Sequence, residues 1–198
     1  MSENRPTHHQ RGLLWLVGEL LGDERPEGLQ RFLKESTLHA VFFLASERGL
    51  LPYDTAPVLT NWHGDTRYVC LSQEGLEDLS ALERSGFLQR LELTGSHHGF
   101  FSAYRMTDAG RAEAARTPSD VTAALAPLVR CPCGGRWVYT TGKDRVTRRC
   151  PKCGTEEEIR CLDIPKLPYT STPRFPKLLE LGFPGEDGTG LPFPKEGK

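Results

Sequence analysis

Two close pairs of cysteines are the residues of this chain whose spacing most directly implies chemistry. Cys131 and Cys133 form a C-x-C pair, and Cys150 and Cys153 form a C-x2-C pair after a 16-residue insert. The insert alternates like a strand on both sides of turn residues at 142–144, which predicts a β-hairpin. A hairpin brings the pairs together, and four thiolates are a ligand set that structural zinc prefers. We therefore expect one structural Zn²⁺ ion, held by Cys131, Cys133, Cys150 and Cys153.

Other uses of these cysteines are a disulfide, a redox dithiol or plain surface thiols. C-x-C is a poor disulfide spacing, and nothing in the sequence suggests secretion. The C-x2-C pair lacks the βαβ context of a thioredoxin-like redox site. Four sulfurs leave no open position for water, so we expect a structural rather than a catalytic site. Whether Cys161 replaces one sulfur of the C-x-C pair stays open.

Residues 129–162 resemble a zinc ribbon. Gly134 and Gly135 follow the first cysteine pair and Gly154 follows the second, where tight turns behind metal ligands favour glycine. Zinc ribbons usually have C-x2-C at both pairs. The C-x-C spacing therefore predicts a tighter first turn.

The charge of the chain is distributed unevenly. The net charge of −1 combines −5 over residues 1–129 with +4 over residues 130–198, and residues 130–153 alone carry +6. Such a basic segment can neutralise phosphates, and Trp137 and Tyr139, two apart on one strand, can stack on bases. The alternative is that the aromatic rings cover the ribbon core and the charges form a solvated face. The predicted nucleic-acid contacts are Arg136, Trp137, Lys143, Arg145, Arg148 and Arg149.

The sequence before the cysteines predicts a mixture of helices and strands. Apolar spacing predicts a helix over residues 37–48 capped by Ser36 or Thr37, and another over 73–85 capped by Ser72. Strands are expected over 87–93 and 100–106 around a loop, followed by a helix from Ala109 that Thr107-Asp108 caps. Residues 58–62 and 66–71 fit a hairpin, although a short helix over 54–61 is the other option.

This order resembles the winged helix-turn-helix family, in particular regulators related to MarR and PadR. The matching stretches are LSALERSGFLQRLEL at residues 79–93 and YRMTDAGRAEA at residues 104–114. The resemblance implies that residues 73–85 form the recognition helix and that the two following strands form the wing. That helix carries Glu74, Glu77, Asp78 and Glu83 against a single Arg84, a charge that phosphates repel. An acidic face of this kind is suited to protein docking.

The two ends of the chain have distinct compositions. Residues 1–35 are expected to hold a loose polar segment, a short helix over the apolar run from Leu13 to Leu21, and a further helical turn over 29–34. The apolar run serves either as core packing or as a homodimer contact. Residues 163–198 form a Pro/Gly-rich tail that, outside residues 177–181, is too proline-dense for helix or sheet, and it is expected to be either an extended docking arm or disordered.

Together these patterns predict an α+β protein: a winged-helix domain over 36–128, a small zinc-ribbon β-hairpin domain over 129–162, and an extended tail. No catalytic motif and no membrane-spanning run is present, and zinc thiolates fit a reducing, cytoplasmic setting. The expected function is a nucleic-acid-binding regulator of the transcription type, with DNA as the expected partner. The alternative is a non-catalytic adaptor that docks on proteins through its acidic helix and its tail.

Overall fold

The computed structural model describes residues 5–22, 31–94 and 100–162, which all lie in the unit Met1–Asp163. Within these ranges the chain forms five α-helices and eight short strands in three antiparallel sheets. This is the α+β class that the sequence predicts. The predicted tail over 163–198 and residues 95–99 of the predicted loop lie outside the described residues.

Helix α1 (His8–Leu21) begins before the predicted apolar run and includes part of the segment expected to be loose. Thr7 and Gln10 form a reciprocal capping box that satisfies amide groups of the first turn. Leu13, Leu14, Leu16 and Val17 are fully buried in the core, which stabilises the fold by about 1.5–3 kcal/mol per side chain. These four side chains therefore pack in the core, which is one of the two uses expected for the apolar run, and the homodimer contact stays a prediction.

Helix α2 (Glu35–Glu47) lies at the centre of the core and is buried around most of its circumference. Its N-cap residue is Lys34, which makes no side-chain cap, so the predicted caps Ser36 and Thr37 are wrong. The other predicted caps are present. Ser72 accepts the Gly75 amide at the start of α3 (Gln73–Arg84), and Thr107 accepts the Gly110 amide at the start of α4 (Asp108–Ala114).

Helix α5 (Ser119–Val129) was not among the predicted helices. Pro127 lies inside it and interrupts the usual helical pattern. Its buried residues Leu125, Leu128 and Val129 join the same core as α1 and α2. Because α5 ends at Val129, two residues before Cys131, it attaches the first cysteine pair to that core.

The first sheet has the order β1-β5-β4, with strands β1 (Leu33–Lys34), β4 (Leu88–Thr94) and β5 (Phe100–Met106). Leu33 lies opposite Tyr104, so β1 is added to the predicted strand pair. The expected helical turn over 29–34 is therefore wrong at residues 33–34, while residues 29–30 lie outside the described ranges.

A hairpin of β2 (Ala56–Trp62) and β3 (Asp65–Leu71) connects α2 to α3. Its two-residue turn consists of His63 and Gly64, which both have positive φ, 51° and 90°. This is the conformation of a type I′ turn, whose twist matches that of the flanking strands. The structure therefore has the predicted hairpin in place of the alternative helix over 54–61.

The third sheet has the order β6-β7-β8 and contains β6 (Val138–Thr141), β7 (Val146–Arg149) and β8 (Glu156–Ile159). The β6–β7 pair is the predicted hairpin, and β8 is a third strand that was not predicted. Tyr139 on β6 donates its hydroxyl to the Leu128 carbonyl of α5 at 2.5 Å, which attaches this sheet to the core. None of the helices in the described ranges combines the length and the hydropathy needed to span a bilayer.

Candidate metal centre

The four predicted cysteine ligands lie together at one end of the β6–β7 hairpin. All four sulfur atoms are within 4.8 Å of one another. The Cys131 and Cys153 sulfurs are 3.7 Å apart, and those of Cys133 and Cys150 are 3.4 Å apart. Four thiolates bonded tetrahedrally at ~2.3 Å would have sulfur atoms about 3.8 Å apart. The cluster is therefore close enough to hold a metal ion.

Two backbone turns present the sulfurs. In the first, the Gly134 amide donates to the Cys131 carbonyl at 2.8 Å. In the second, the Gly154 amide donates to the Cys150 carbonyl, also at 2.8 Å. The first turn is shorter by one residue, as the C-x-C spacing predicts, and Gly134 and Gly154 have φ of 80° and 79°.

Two thiols of the cluster, those of Cys153 and Cys131, have pKa values shifted in opposite directions. Hydrogen bonds from the Thr155 hydroxyl and backbone lower the pKa of Cys153 to about 6. At Cys131 a backbone hydrogen bond from Cys133 acts in the same direction, but burial and the neighbouring thiols outweigh it and raise the pKa of Cys131 to about 12. Binding of a cation must therefore displace protons from the cluster.

Cys161 does not belong to this cluster. It is fully buried, and its carbonyl accepts the Cys70 amide at 2.8 Å, next to a β-bridge between Val69 and Leu162. Burial and the neighbouring Cys70 raise the pKa of Cys161 to about 12, so its thiol is protonated. Among the described residues, the tetrad found is Cys131, Cys133, Cys150 and Cys153.

Two of the predicted nucleic-acid contacts, Arg148 and Trp137, are wrong because their side chains are buried, with 2% and 3% exposure. The Arg148 guanidinium lies 4.3 Å from the centre of the Trp137 ring and donates to Glu157 and to the Pro127 carbonyl. These residues join the third sheet to α5. The structure thus follows the alternative in which the aromatic residues cover the ribbon core.

Two further predicted contacts are partly exposed but lie beside carboxylates. Lys143 is 3.0 Å from Asp65 on the β2–β3 hairpin, and Arg136 is 3.6 Å from Glu19 on α1. Arg145 and Arg149 are exposed, although Arg149 lies opposite Glu156 on β8. Much of the +6 charge of residues 130–153 is therefore balanced by acidic groups from elsewhere in the chain. Sequence reasoning missed Asp65 and Glu19 because they are distant along the chain from the cations that they contact.

The acidic helix predicted over 73–85 is less acidic at its surface than its composition suggests. Asp78 is turned inward and accepts hydrogen bonds from Gln10 and Tyr53, both at 2.8 Å. Glu74 and Glu77 remain exposed together with Arg84. The exposed part of α3 thus carries a smaller negative charge than predicted.

Comparison with known proteins places the chain in a family. No curated protein and no solved structure matches it. One family model does match, over residues 9–152, which include all of α1 except His8, every later element through β7, and three of the four clustered cysteines. Because that match covers more than half of the chain, the protein belongs to the Uncharacterized protein MJ1567 family.

Proposed function

We propose that this protein is a non-catalytic adaptor, a winged-helix scaffold with one structural zinc ion, which docks on protein partners. The observation that carries the proposal is the pairing of the basic segment with Glu19, Asp65 and Glu157, carboxylates of the same chain. A surface evolved for phosphates would keep such cations available to release counterions. Here much of their charge is used to hold the fold together.

Zinc is the metal that best suits the cluster. Four sulfur ligands at tetrahedral spacing match its preference, and a closed shell leaves no position for a reacting water molecule. In this role Cys131, Cys133, Cys150 and Cys153 hold the ion, and the ion crosslinks the end of α5 to the turn that follows β7.

Elemental analysis of the purified protein tests the metal assignment. We expect one zinc ion per chain, and we expect its loss from the variant Cys150→Ser, whose sulfur is fully buried in the cluster. The matched control is Cys161→Ala, which removes a buried thiol outside the cluster. Retention of zinc by Cys150→Ser, or its loss from both variants, would contradict the assignment.

Nucleic-acid binding is the second candidate function. It is favoured by the order of α3, β4 and β5, which is the helix-and-wing order that the sequence resemblance implies, and by the exposure of Arg145 and Arg149. Against it stand the two exposed glutamates of α3 and the paired cations described above.

Fluorescence anisotropy with random duplex and single-stranded DNA separates the two candidates. If the protein is an adaptor, it should not bind DNA through phosphate contacts. We therefore expect no DNA binding of the kind that weakens steeply between low and physiological salt. Steep salt dependence that is reduced in the double variant Arg145→Ala/Arg149→Ala would instead support phosphate contact by the third sheet. The same loss in Arg84→Ala would assign that contact to α3.

A further inference from the structure

A groove of about 730 Å³ lies between β1 and β6, each of which pairs with one other strand among the residues that the structure describes. Strand β1 pairs with β5 through one edge, and β6 pairs with β7 through one edge. Two consecutive runs of residues, 31–34 and 136–141, line the groove. Lining by consecutive residues indicates that strand edges, rather than faces of the sheets, form the two walls.

The backbone of β6 presents hydrogen-bonding groups to this groove. The Gly142 amide bonds to the Arg145 carbonyl at 2.9 Å, which sets the alternation along the strand. Tyr139 and Thr141 consequently direct their amide and carbonyl groups away from β7. Two residues before Tyr139, the chain already forms a backbone hydrogen bond on this side: the Trp137 amide donates to the Val129 carbonyl at 2.9 Å. An added strand would continue this pairing.

The groove is positively charged. Arg31, Lys34 and Arg136 line it, and no Asp or Glu is among its described lining residues. Two of these cations converge at Gly22, where an added Cβ would lie 2.3 Å from Arg136 Nη1 and 2.9 Å from Arg31 Nη1. Glu19 lies 3.6 Å from Arg136 and is shared with Arg130. A ligand carboxylate would complement the two neighbouring guanidinium groups.

Two large apolar side chains are exposed at the same place. Phe32 is 46% exposed and Val138 is 52% exposed, and both line the groove. Exposed apolar groups surrounded by polar residues are typical of interaction sites. They supply contact area for aliphatic side chains of a ligand.

We propose that this groove binds an extended, acidic segment of a partner protein. The segment adds as a strand to the free edge of β6, places a carboxylate beside Arg31 and Arg136, and packs aliphatic side chains on Phe32 and Val138. Backbone hydrogen bonds then provide affinity, and the flanking side chains provide specificity. This inference rests on the adaptor function and specifies the chemistry of the partner.

A fluorescein-labelled heptapeptide of alternating glutamate and valine is a direct probe for the zinc-loaded, full-length protein. We expect saturable binding in anisotropy. The matched lysine–valine peptide should bind with an affinity at least about tenfold lower, because the groove is positively charged. A glutamate–valine peptide with N-methylated backbone amides should lose binding, because it cannot add to a strand edge. Amide hydrogen exchange at Thr141 should slow when the peptide binds.

Variants locate the binding site. Val138→Glu should weaken binding at least about tenfold, since it places a like charge in the groove. Val58→Glu is the matched control, because Val58 is an equally apolar residue, 44% exposed, on β2 and outside the groove lining. Arg31→Glu is a second groove variant on the opposite wall, in case Val138→Glu disturbs β6.

The outcomes separate this inference from the adaptor proposal. Equal affinity for the glutamate and lysine peptides, or equal loss in Val138→Glu and Val58→Glu, would overturn the groove assignment. Absence of binding to the glutamate–valine peptide would also overturn it. None of these results changes the DNA titration, which tests the adaptor proposal on its own.

Discussion

At the scale of single residues, Gly135 lies against the sulfur atoms of the cysteine cluster. A Cβ at this position would be 2.6 Å from Cys150 Sγ and 2.9 Å from the Lys152 Cβ. Real Cβ atoms essentially never approach within 3.0 Å of such neighbours. Glycine is thus required here by close packing, whereas Gly134 and Gly154 are favoured by their positive φ.

Gly135→Ala should therefore weaken zinc binding, because the new methyl group displaces a ligand sulfur. We expect a loss of about 10–100-fold in affinity, the size typical of changes next to a metal's ligands. Competition with a chromophoric chelator measures it. Gly154→Ala is the control, since φ there is +79° but no atom outside its two chain neighbours lies within 4 Å of the added Cβ. A loss in Gly135→Ala no larger than that in Gly154→Ala would contradict the close-packing requirement at Gly135.

Arg148 is a buried cation whose charge is balanced by one carboxylate. Its guanidinium has two hydrogen bonds to Glu157, at 2.8 and 2.5 Å, and one to the Pro127 carbonyl at 3.0 Å. Glu157 itself is 41% exposed. Removal of the Glu157 carboxylate leaves the Arg148 charge buried without a counterion. This destabilises the folded protein more than removal of both groups would.

Glu157→Gln should lower the free energy of unfolding by about 1–3 kcal/mol, because the buried guanidinium loses its counterion although the glutamine oxygen can still accept a hydrogen bond. Denaturant unfolding of the zinc-loaded protein measures this change. Glu156→Gln is the control, because Glu156 is an exposed neighbour on the same strand. Equal stability of the two variants would show that the Arg148–Glu157 pair contributes nothing to the attachment of the third sheet.

At the scale of elements, an ion pair fastens α1 to α4. Glu113 on α4 has a side chain only 9% exposed and accepts hydrogen bonds from Arg11 at 2.8 Å and from Arg116 at 3.0 Å. The hydrogen bond from Arg11, with further contributions from Arg116, lowers the pKa of Glu113 despite the opposing effect of burial. The folded state therefore favours the ionised carboxylate.

A carboxylate whose pKa is lower when folded stabilises the protein above its unfolded pKa, and this stabilisation disappears as the pH falls through the folded pKa. Glu113→Gln should therefore be less stable than the wild type at neutral pH, and the difference should shrink below a pH of about 4.5. Unfolding measured from pH 7 to pH 3 tests this. A constant difference would mean that Glu113 acts by packing rather than through its charge. Protonation of the cysteines affects both proteins equally, so its contribution to stability cancels when the two are compared at the same pH.

The β2–β3 hairpin is fastened to the turn of the β6–β7 hairpin. Trp62 donates its indole N–H to the Gly142 carbonyl at 2.9 Å, and Arg67 pairs with Asp144 at 2.5 Å. At the other end, the Cys70 amide bonds to the Cys161 carbonyl. The segment between α2 and α3 is thus held at both ends by the part of the chain that contains the cysteines.

At the scale of the whole molecule, this arrangement connects the proposed metal ion to the helices. The ion would hold the end of α5 to the turn after β7. The β6–β7 hairpin in turn contacts the β2–β3 hairpin, which connects α2 to α3. Loss of the ion should therefore have effects beyond the cluster, because the four thiols provide no other crosslink.

Chelation of the metal should increase hydrogen exchange in two places: residues 131–155, which contain the cluster, and residues 62–70 of the distant hairpin. Amides of α1 should change less, because that helix is held by the apolar core. Mass spectrometry of the holo and chelated protein measures the exchange. An effect confined to residues 131–155 would show that the ion stabilises only its own loops.

The sequence by itself determined the features that depend on neighbouring residues. The two cysteine pairs, the hairpin between them, and the caps Ser72 and Thr107 all follow from local spacing. Helix α5 escaped prediction because Pro127 interrupts its pattern. Strand β1 has only two residues and owes its conformation to pairing with β5.

Only the tertiary structure decided which charges remain available for a ligand. The sequence showed a basic segment, but Glu19 and Asp65 lie far from it along the chain and meet it only after folding. The groove between β1 and β6 likewise combines two distant strand edges. Local spacing predicts a metal site because its ligands are close in sequence, whereas burial and charge pairing depend on contacts between distant residues.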